Sequence, residues 1–357
     1  MEQREITSID AGQRFDKYLR KLLPEAPDGF LYKMLRKKNI VLNGKKADGS
    51  QKIACGDIVT LYLSKETFLK FGGKIIKPEE RAPENSISEK LMRQALVPEE
   101  SIKADVSVTV IFENEHILLA DKPAGLLTQK ASAEGYSLNE WLTGYLLRTG
   151  AVSEEDLLTF HPSACNRLDR NTSGLVLCSK SVAGARLLGK LLRNRTMHKY
   201  YRTYVKGCLQ EERTIEGYLS KDSRTNKVII SPLSGDGHLL EDDGKNGRYI
   251  SGNYIKTRYI PLQTGQEMTL LEVELITGKS HQIRAHLANI GHPLLGDYKY
   301  GNKEWNDKYR KKYGISHQLL HAYRVEFPIL GEPFADLSGK CFTAPLPELY
   351  LKLEKEI

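Results

Sequence analysis

The sequence predicts an α+β fold, with a small basic domain in front of a larger domain of mixed strands and helices. Three observations support this prediction. The chain has 357 residues, which exceeds one typical domain. From residue 105 onward, segments such as 271–275 alternate apolar residues with polar ones, as half-buried strands do. Helical stripes interrupt those strands at residues 182–193 and 281–290, and this irregular order is typical of α+β domains.

Residues 11–63 predict two short helices packed on a small sheet. Residues 14–23 form an amphipathic pattern that a proline ends. In the helix that follows, apolar residues recur at i, i+3 and i+4, and the opposite side carries only cations, namely Lys33, Arg36, Lys37 and Lys38. The apolar run 40–42, the turn Asn43-Gly44 and the alternating run 58–63 are expected to form the sheet.

The charge of the chain is concentrated in this front segment. The formal net charge is +8, and residues 11–63 contain eleven Lys or Arg against five Asp or Glu, a net +6. Such a cluster is typical of proteins that bind the phosphate backbone of nucleic acids. The alternative is a solvated lysine-rich face without a partner. Residues 65–104 lack a clean period and predict a linker that contains a helix near residues 91–95.

The rest of the composition argues against several classes of protein. No apolar run approaches the roughly 18 residues of a membrane span, and the amino terminus lacks a signal-peptide pattern. Five cysteines are scattered without a C-x-x-C pair, which argues against a disulfide framework or a zinc site. His281 and His286 lie i, i+5 apart, unlike the i, i+4 pair of a helical zinc site. We therefore expect a cytoplasmic protein without a membrane or metal, and a monomer by default.

One polar run contains the candidate catalytic residue. Residues 166–174 read Asn-Arg-Leu-Asp-Arg-Asn-Thr-Ser-Gly and precede an apolar strand. Asp169 lies between Arg167 and Arg170, and a carboxylate beside guanidinium groups is expected to stay ionised. An ionised carboxylate can act as a nucleophile or a base. An aspartate in such a run more often closes a turn or caps a helix, so the run alone does not assign a catalytic role.

The run resembles the catalytic signature of the RluA family of pseudouridine synthases, His-Arg-Leu-Asp-x-x-Thr-Ser-Gly-Leu. Asn166 stands where the family usually has histidine. Further stretches resemble motifs of the same family, at residues 111–126, 199–207, 277–287, 291–301 and 320–322. We assign no chemistry to the last two of these stretches. Ser280 is expected to cap the helix that begins in the third stretch.

The resemblance to this family implies a role for four residues. Asp169 would be the catalytic carboxylate, Arg284 its basic partner, and Tyr201 the active-site tyrosine that stacks on the uracil. Arg167 would fill the space that the uridine leaves when it flips out of its stack. The implied reaction is the isomerisation of uridine to pseudouridine in RNA, and it consumes no cofactor.

The front segment resembles the S-four-type RNA-binding domain, in which the second helix and the following turn meet RNA. Arg36, Lys37 and Lys38 are therefore expected to bind RNA. The two resemblances imply an S-four-like domain over residues 1–64, the linker, and a pseudouridine synthase domain over residues 105–357 with a mixed, mostly antiparallel sheet. They favour large-subunit (23S) ribosomal RNA or its precursor as the substrate. Transfer RNA as the substrate, a non-catalytic RNA-binding protein and a glycosidase are the alternatives.

Overall fold

The computed structural model describes residues 1–75, 107–130, 135–221, 228–231, 240–241, 248–249 and 252–357. The chain divides into two compact units. The first contains Met1–Ala120, Thr128–Arg167 and Leu177–Lys190, and the second contains Asp121–Leu127, Leu168–Val176 and Leu191–Ile357. The predicted helix near residues 91–95 and most of the predicted linker lie outside the described residues.

The front domain belongs to the first unit and consists of a small sheet with helices packed on it. Its elements in chain order are β1 (Glu2–Glu5), α1 (Phe15–Leu22), α2 (Asp28–Arg36), β2 (Ile40–Leu42), β3 (Ile58–Leu61) and α3 (Lys65–Lys70). The three strands pair antiparallel in the order β1-β3-β2. Asn43 and Gly44 both have positive φ, 52° and 70°, as a tight hairpin turn requires. The predicted arrangement of two helices and a small sheet is confirmed.

Helix α3 lies in the segment that the sequence predicts to be a linker. Ser64 caps it, because its hydroxyl oxygen accepts a hydrogen bond from the backbone N–H of Thr67. Phe68 is fully buried in the front-domain core, and Phe71 and Ile75 pack against the same core. The front domain therefore extends through these residues, beyond the predicted boundary at residue 64.

The strands and helices that follow the front domain lie mostly in the first unit. The elements are β4 (Thr109–Glu113), β5 (Ile117–Lys122), α4 (Leu138–Arg148), β6 (Ser163–Ala164), β7 (Ser173–Ser179) and α5 (Val182–Asn194). One end each of β5, β7 and α5 belongs to the second unit. The strands follow the order β6-β7-β5-β4. Within this unit the backbone N–H of Val182 donates to the Ile9 carbonyl at 2.9 Å, and Arg186 donates to the Gly12 carbonyl at 2.6 Å. These two bonds connect α5 to the front domain.

The second unit is built on a long, mostly antiparallel sheet. Its elements are β8 (His198–Lys206), β9 (Arg213–Lys221), β10 (Val228–Ser231), β11 (Leu240–Glu241), β12 (Arg248–Tyr249), β13 (Asn253–Thr264), β14 (Met268–Leu275), α6 (Gln282–Asn289), α7 (Lys303–Tyr313), β15 (Leu320–Glu326), β16 (Cys341–Thr343) and α8 (Glu348–Leu353). The strand order is β10-β9-β13-β14-β8-β15-β7, where only β15 and β7 pair parallel. This sheet confirms the predicted fold class.

Gly174 fixes the start of β7 against β15. It pairs with Ala322 in the parallel register and has φ of +105°, which an L side chain rarely adopts. A Cβ at this position would lie 2.3 Å from the Ala322 carbonyl oxygen, so only glycine lets the two backbones approach so closely. Because Asp169 lies five residues earlier, this contact anchors the loop that carries the candidate carboxylate.

Among the described residues, no helix is long and apolar enough to cross a membrane.

Candidate active site

Asp169 lies in the loop that leads into β7, next to the buried Leu168. Its backbone carbonyl accepts a hydrogen bond from the N–H of Thr172 at 3.0 Å, which closes a turn and directs the chain toward β7. The side chain is 29% exposed, so the carboxylate is sheltered but reachable. Asp169 therefore closes a turn, as its residue type predicts, and also presents a candidate catalytic carboxylate.

Arg284 connects Asp169 to a second carboxylate. Its Nη1 donates to Oδ2 of Asp169 at 3.1 Å, while its Nε and Nη2 donate to the two oxygens of Asp297 at 2.7 and 3.0 Å. The guanidinium side chain is only 9% exposed, and Asp297 is fully buried. A bidentate pair of this kind fixes the plane of the guanidinium. The remaining nitrogen, Nη1 of Arg284, therefore donates its hydrogen bond to Asp169 in a fixed direction.

The electrostatics of this pair keep Arg284 charged. Burial acts to lower the pKa of the guanidinium, but the hydrogen bonds and charge of Asp297, together with the charge of Asp169, raise it above its ordinary value. Asp297 also accepts hydrogen bonds from the backbone N–H groups of Lys299 and Tyr300. The buried Asp297 carboxylate thus has several hydrogen-bond donors within the protein, and it holds Arg284 in place without solvent.

Helix α6 carries Arg284, and its start differs from the expected one. Ser280 does not cap it, because the residue before the helix is His281, whose backbone is left-handed with φ of 57°. The Gln282 side chain instead accepts hydrogen bonds from the Lys279 N–H and the Thr277 hydroxyl. Capping by Ser280 is therefore a wrong prediction.

The left-handed residue places the His281 ring at the candidate site. Its Nε2 is 3.8 Å from Oδ2 of Asp169, and its Nδ1 makes a hydrogen bond of 2.8 Å with the Tyr300 hydroxyl. Burial lowers the pKa of His281, although the charge of Asp169 acts in the opposite direction. The Arg284 guanidinium lies 5.3 Å from the centre of the Tyr300 ring. His281 and its hydrogen-bond partner Tyr300 thus place polar groups near the Asp169 carboxylate.

Tyr201 lies on β8 in the middle of the sheet, where it pairs with Val273 on one side and Ala322 on the other. Its side chain is buried, and that burial, with the charge of Asp169 as a second cause, raises the pKa of its phenol. The phenol therefore stays protonated at neutral pH. The charge of Asp169 acts on this phenol, and the stacking role of Tyr201 stays a prediction.

Lys122 stabilises the loop that carries Asp169. Its fully buried Nζ donates hydrogen bonds to the carbonyls of Pro123, Leu126 and Arg170, at 2.8, 2.8 and 3.2 Å. Burial lowers its pKa to about 7, while the charge of Asp169 acts to raise it. Three carbonyl acceptors use all three N–H groups of an ammonium, so these contacts favour the protonated form. Lys122 thereby joins the turn after β5 to the residue that follows Asp169.

The two arginines beside Asp169 in the sequence serve other purposes. Arg170 donates from Nε to the Gly125 carbonyl at 3.0 Å. Arg167 is exposed and makes no ion pair with any described residue. Asn166 accepts a hydrogen bond from the Leu177 N–H at 2.7 Å, which is a structural role at the edge of β7. The cation that contacts Asp169 is therefore Arg284 and neither of its neighbours in the chain.

The predicted RNA-binding cations lie at the end of α2. Arg36 is its last residue, Lys37 follows it, and Lys38 has a positive φ of 60°. All three side chains are exposed.

The residues described by the structure include no group of three or more metal-ligating side chains. His286 is buried, and its Nδ1 makes a hydrogen bond of 3.1 Å with the Thr257 hydroxyl.

Sequence reasoning did not assign a role to His281, Tyr300 or Asp297. Tyr300 and Asp297 belong to the stretch 291–301, to which no chemistry was assigned. One signal was available, because Asp297 is the single acidic residue of that stretch. An acid isolated among glycines and apolar residues is expected to need a cationic partner when buried. Nothing in the sequence pairs it with Arg284.

Comparisons with known proteins concern the fold and the class of enzyme. Residues 116–289 match the family model of RNA pseudouridylate synthase. The fold, the site and this match together define the chain as a pseudouridine synthase, an isomerase that acts on RNA. Its sequence motifs resemble those of the RluA family, and the curated relatives support that resemblance.

Curated relatives extend the similarity to nearly the whole chain. The ribosomal large subunit pseudouridine synthase C of Vibrio vulnificus is 27% identical over 332 residues, which cover 90% of this chain and 88% of the relative. The protein of the same name from Escherichia coli is 28% identical over 324 residues, covering 90% and 87%. Among solved structures, human RNA pseudouridylate synthase domain containing 4 superposes with a TM-score of 0.53 at 19% identity, covering 69% of this chain and 92% of its own. That last likeness concerns the fold.

Proposed function

We propose that this enzyme converts specific uridines of large-subunit ribosomal RNA to pseudouridine, with Asp169 as the catalytic carboxylate. The observation that carries the proposal is the chain of contacts from Asp297 through Arg284 to Asp169. It holds one accessible carboxylate in a defined direction. The choice of RNA is supported by the relatives, whose names specify the ribosomal large subunit and whose similarity spans most of this chain.

In the proposed mechanism, the bond between N1 of uracil and C1′ of ribose breaks, and a bond between C5 and C1′ forms. The C5 proton leaves and N1 gains a proton, so the reaction is an isomerisation. Asp169 supplies the anionic oxygen, and attack on the sugar, addition to the ring or removal of a ribose proton would each use it. Arg284 orients that oxygen through its hydrogen bond. Tyr201 stacks on the detached base and keeps it in the pocket.

Base flipping precedes this chemistry in the proposal. Extraction of a nucleotide from its stack costs a few kcal/mol. The exposed Arg167 has the length and charge to occupy the vacated space and to contact the neighbouring phosphates. We also propose that the front domain, with Arg36, Lys37 and Lys38, binds RNA in the manner of an S-four-type domain, and that the enzyme acts as a monomer.

The substrate is tested by incubating the full chain with transcribed large-subunit ribosomal RNA, transcribed small-subunit ribosomal RNA and a transfer RNA pool. Pseudouridine-specific chemical mapping then locates the product. We expect a small number of positions in the large-subunit RNA and none in the others. Product in transfer RNA alone would replace the ribosomal assignment by the alternative substrate. Binding to large-subunit RNA without product would favour a non-catalytic protein, and release of free uracil would favour a glycosidase.

A further inference from the structure

A cleft of about 700 Å³ lies on the front domain, next to the proposed RNA-binding cations. One side is formed by α2, and the other by the turn after β2. Its lining residues include Tyr32, Lys33 and Arg36 from the helix, and Lys46, Asp48 and Gly49 from the turn. The cleft therefore combines an aromatic ring, three cations and one carboxylate.

The Tyr32 ring is both exposed and held in place. Its side chain is 43% exposed, yet its hydroxyl donates to Oδ2 of Asp16 at 2.9 Å. The ring edge packs on Gly49, where an added Cβ would lie 3.0 Å from Cε1 of Tyr32 and 3.1 Å from Cβ of Asp16. Arg14 fixes Asp16 in turn through two hydrogen bonds of 3.0 Å. An exposed ring in a fixed orientation is a ready platform for stacking, because little side-chain entropy is lost when a flat group binds.

The cations that line the cleft are available for phosphate, unlike Arg14 and Arg20 of the same domain. Arg14 is bound to Asp16, and Arg20 is bound to Asp28 at 2.7 Å. Lys33, Arg36 and Lys46 are exposed and form no ion pair within the part of the chain that the structure describes. Arg14 and Arg20 are thus paired with carboxylates, whereas Lys33, Arg36 and Lys46 around the cleft are free for the phosphates of RNA.

Asp48 is the one acidic group in the cleft lining. Its Oδ1 accepts the Ser50 N–H at 3.0 Å, and its pKa is lowered by hydrogen bonds from Ser50, so it is ionised at neutral pH. A carboxylate repels phosphate and accepts hydrogen bonds from exocyclic amino groups, as on cytosine. It would therefore face the base of a bound nucleotide while the cations face its phosphates.

From these contacts we propose that the cleft binds one unpaired nucleotide of the RNA substrate, with its base stacked on Tyr32 and its amino group at Asp48. Cytosine and adenine carry such a group, and uracil does not. The nucleotide is a recognition point distinct from the uridine that is modified, since the cleft holds none of the groups assigned to the chemistry. This inference rests on the proposed function, because it takes RNA to be the ligand of the front domain.

The test measures binding of labelled single-stranded oligo(C), oligo(A) and oligo(U) RNA to the full chain by fluorescence anisotropy. Tyr32→Ala is compared with Tyr62→Ala, which removes another exposed tyrosine of the same domain, 54% exposed and outside the cleft lining. We expect Tyr32→Ala to weaken oligo(C) binding by about 10-fold or more. The salt dependence should stay unchanged, because no phosphate contact is removed. Equal effects of the two variants would overturn the proposal.

Two further variants separate stacking from packing and from base choice. Tyr32→Phe keeps the ring but loses the bond to Asp16, so it should retain affinity within about 3-fold, whereas a loss as large as that of Tyr32→Ala would exclude stacking as the cause. Wild type should prefer oligo(C) over oligo(U) by roughly 5-fold or more, and Asp48→Asn should reduce that preference. No preference in the wild type would exclude the amino-group contact.

A separate measurement distinguishes failure of this inference from failure of the proposed function. Pseudouridine formation by wild type on large-subunit ribosomal RNA is measured beside the oligonucleotide affinities. If wild type makes no pseudouridine, the proposed function fails while the oligonucleotide affinities still decide the cleft. If Tyr32→Ala and Tyr62→Ala bind alike while wild type makes pseudouridine, only the cleft proposal fails.

Discussion

Arg284 is the residue on which the geometry of the candidate site depends. A single guanidinium contacts both Asp169 and Asp297, and the two contacts differ in kind. The bond to Asp297 is buried and bidentate, so it sets the position of the guanidinium. The bond to Asp169 is partly accessible and single, so it transmits that position to the carboxylate. Asp297 is therefore a positioning residue of the proposed reaction.

Replacement of Asp297 by asparagine should slow the chemistry more than it weakens RNA binding. Asparagine keeps the shape of the side chain but removes the charge, so Arg284 loses its buried partner. We expect the single-turnover rate of pseudouridine formation to fall by up to about 100-fold, as small misplacements of a catalytic group do. Asp307→Asn is the control, because Asp307 binds the Tyr298 hydroxyl on the surface. An unchanged rate in Asp297→Asn would contradict the positioning role.

The buried histidines predict how stability depends on pH. His321 is fully buried, and its Nδ1 contacts the Ser173 hydroxyl at 2.8 Å. Burial lowers the pKa of His321 to about 4, from an ordinary value near 6.5. Between these values the unfolded chain binds a proton that the folded chain does not. The free energy of unfolding must therefore decrease as the pH falls from about 6.5 to about 4.

His321→Gln should remove this contribution, which is on the order of 3 kcal/mol for a shift of this size. Urea unfolding at several pH values between 7 and 4 measures the slope, whatever the effect of the variant at pH 7. His286, whose pKa is also lowered to about 4 by burial, should keep part of the slope. His161→Gln, at an exposed position, should leave the slope as in wild type. A His321→Gln slope identical to wild type would show that His321 does not contribute.

At the level of elements, the junction of β7 and β15 holds the Asp169 loop. Gly174→Ala should destabilise the protein by roughly 2 to 4 kcal/mol, because its Cβ would collide with the Ala322 carbonyl at a strained φ. Gly189→Ala is the matched control, since Gly189 lies in α5 with no atom within 4 Å of an added Cβ. That change should stabilise by about 0.5 to 1 kcal/mol. Thermal unfolding of both variants measures the contrast, and equal stabilities would disprove the packing argument.

Local periodicity predicts some elements of this fold well and others poorly. The apolar stripe at residues 182–193 corresponds to α5, because an amphipathic pattern over three turns needs no distant partner to be recognised. Helix α3 has six residues and one buried side chain, Phe68, so it has no stripe to detect. The start of α6 was misplaced at Ser280, because a left-handed residue at His281 overrides the usual capping preference.

In the candidate site, likewise, local sequence motifs predicted some residues, whereas contacts between distant segments were not predicted. Resemblance to family motifs identified Asp169, Arg284 and Tyr201 as site residues, and the structure brings Asp169 and Arg284 together at 3.1 Å. Their catalytic roles remain predictions. The contact between Arg284 and Asp297, and the approach of His281, depend on how separate segments pack. No periodicity or local spacing encodes these contacts, so they became visible only in three dimensions.

At the level of the whole molecule, the uneven charge predicts separate sites for binding and chemistry. Residues 11–63 carry a net +6 of the chain's total of +8. Replacement of Arg36, Lys37 and Lys38 by glutamate should weaken RNA binding and flatten its dependence on salt, by about one unit of log–log slope for each RNA phosphate that the variant no longer neutralises. Turnover of the saturated complex should change little, because these residues lie outside the second unit, which contains Asp169.

Titration of RNA at several salt concentrations measures that slope. The control variant replaces Lys303, Lys311 and Lys340, three exposed lysines of the second unit, by glutamate and so changes the net charge equally. Its slope should remain closer to wild type. If both variants lower the slope alike, the front domain has no special part in RNA binding and only the total charge matters.

The most direct test of the account is the single-turnover rate of pseudouridine formation by Asp169→Asn with saturating enzyme and large-subunit ribosomal RNA. Asparagine preserves the size of the side chain and removes the anionic oxygen that the proposed reaction requires. We predict a rate at least about 100-fold below wild type, with RNA affinity unchanged. A rate within a few-fold of wild type would contradict the assignment of Asp169 as the catalytic carboxylate.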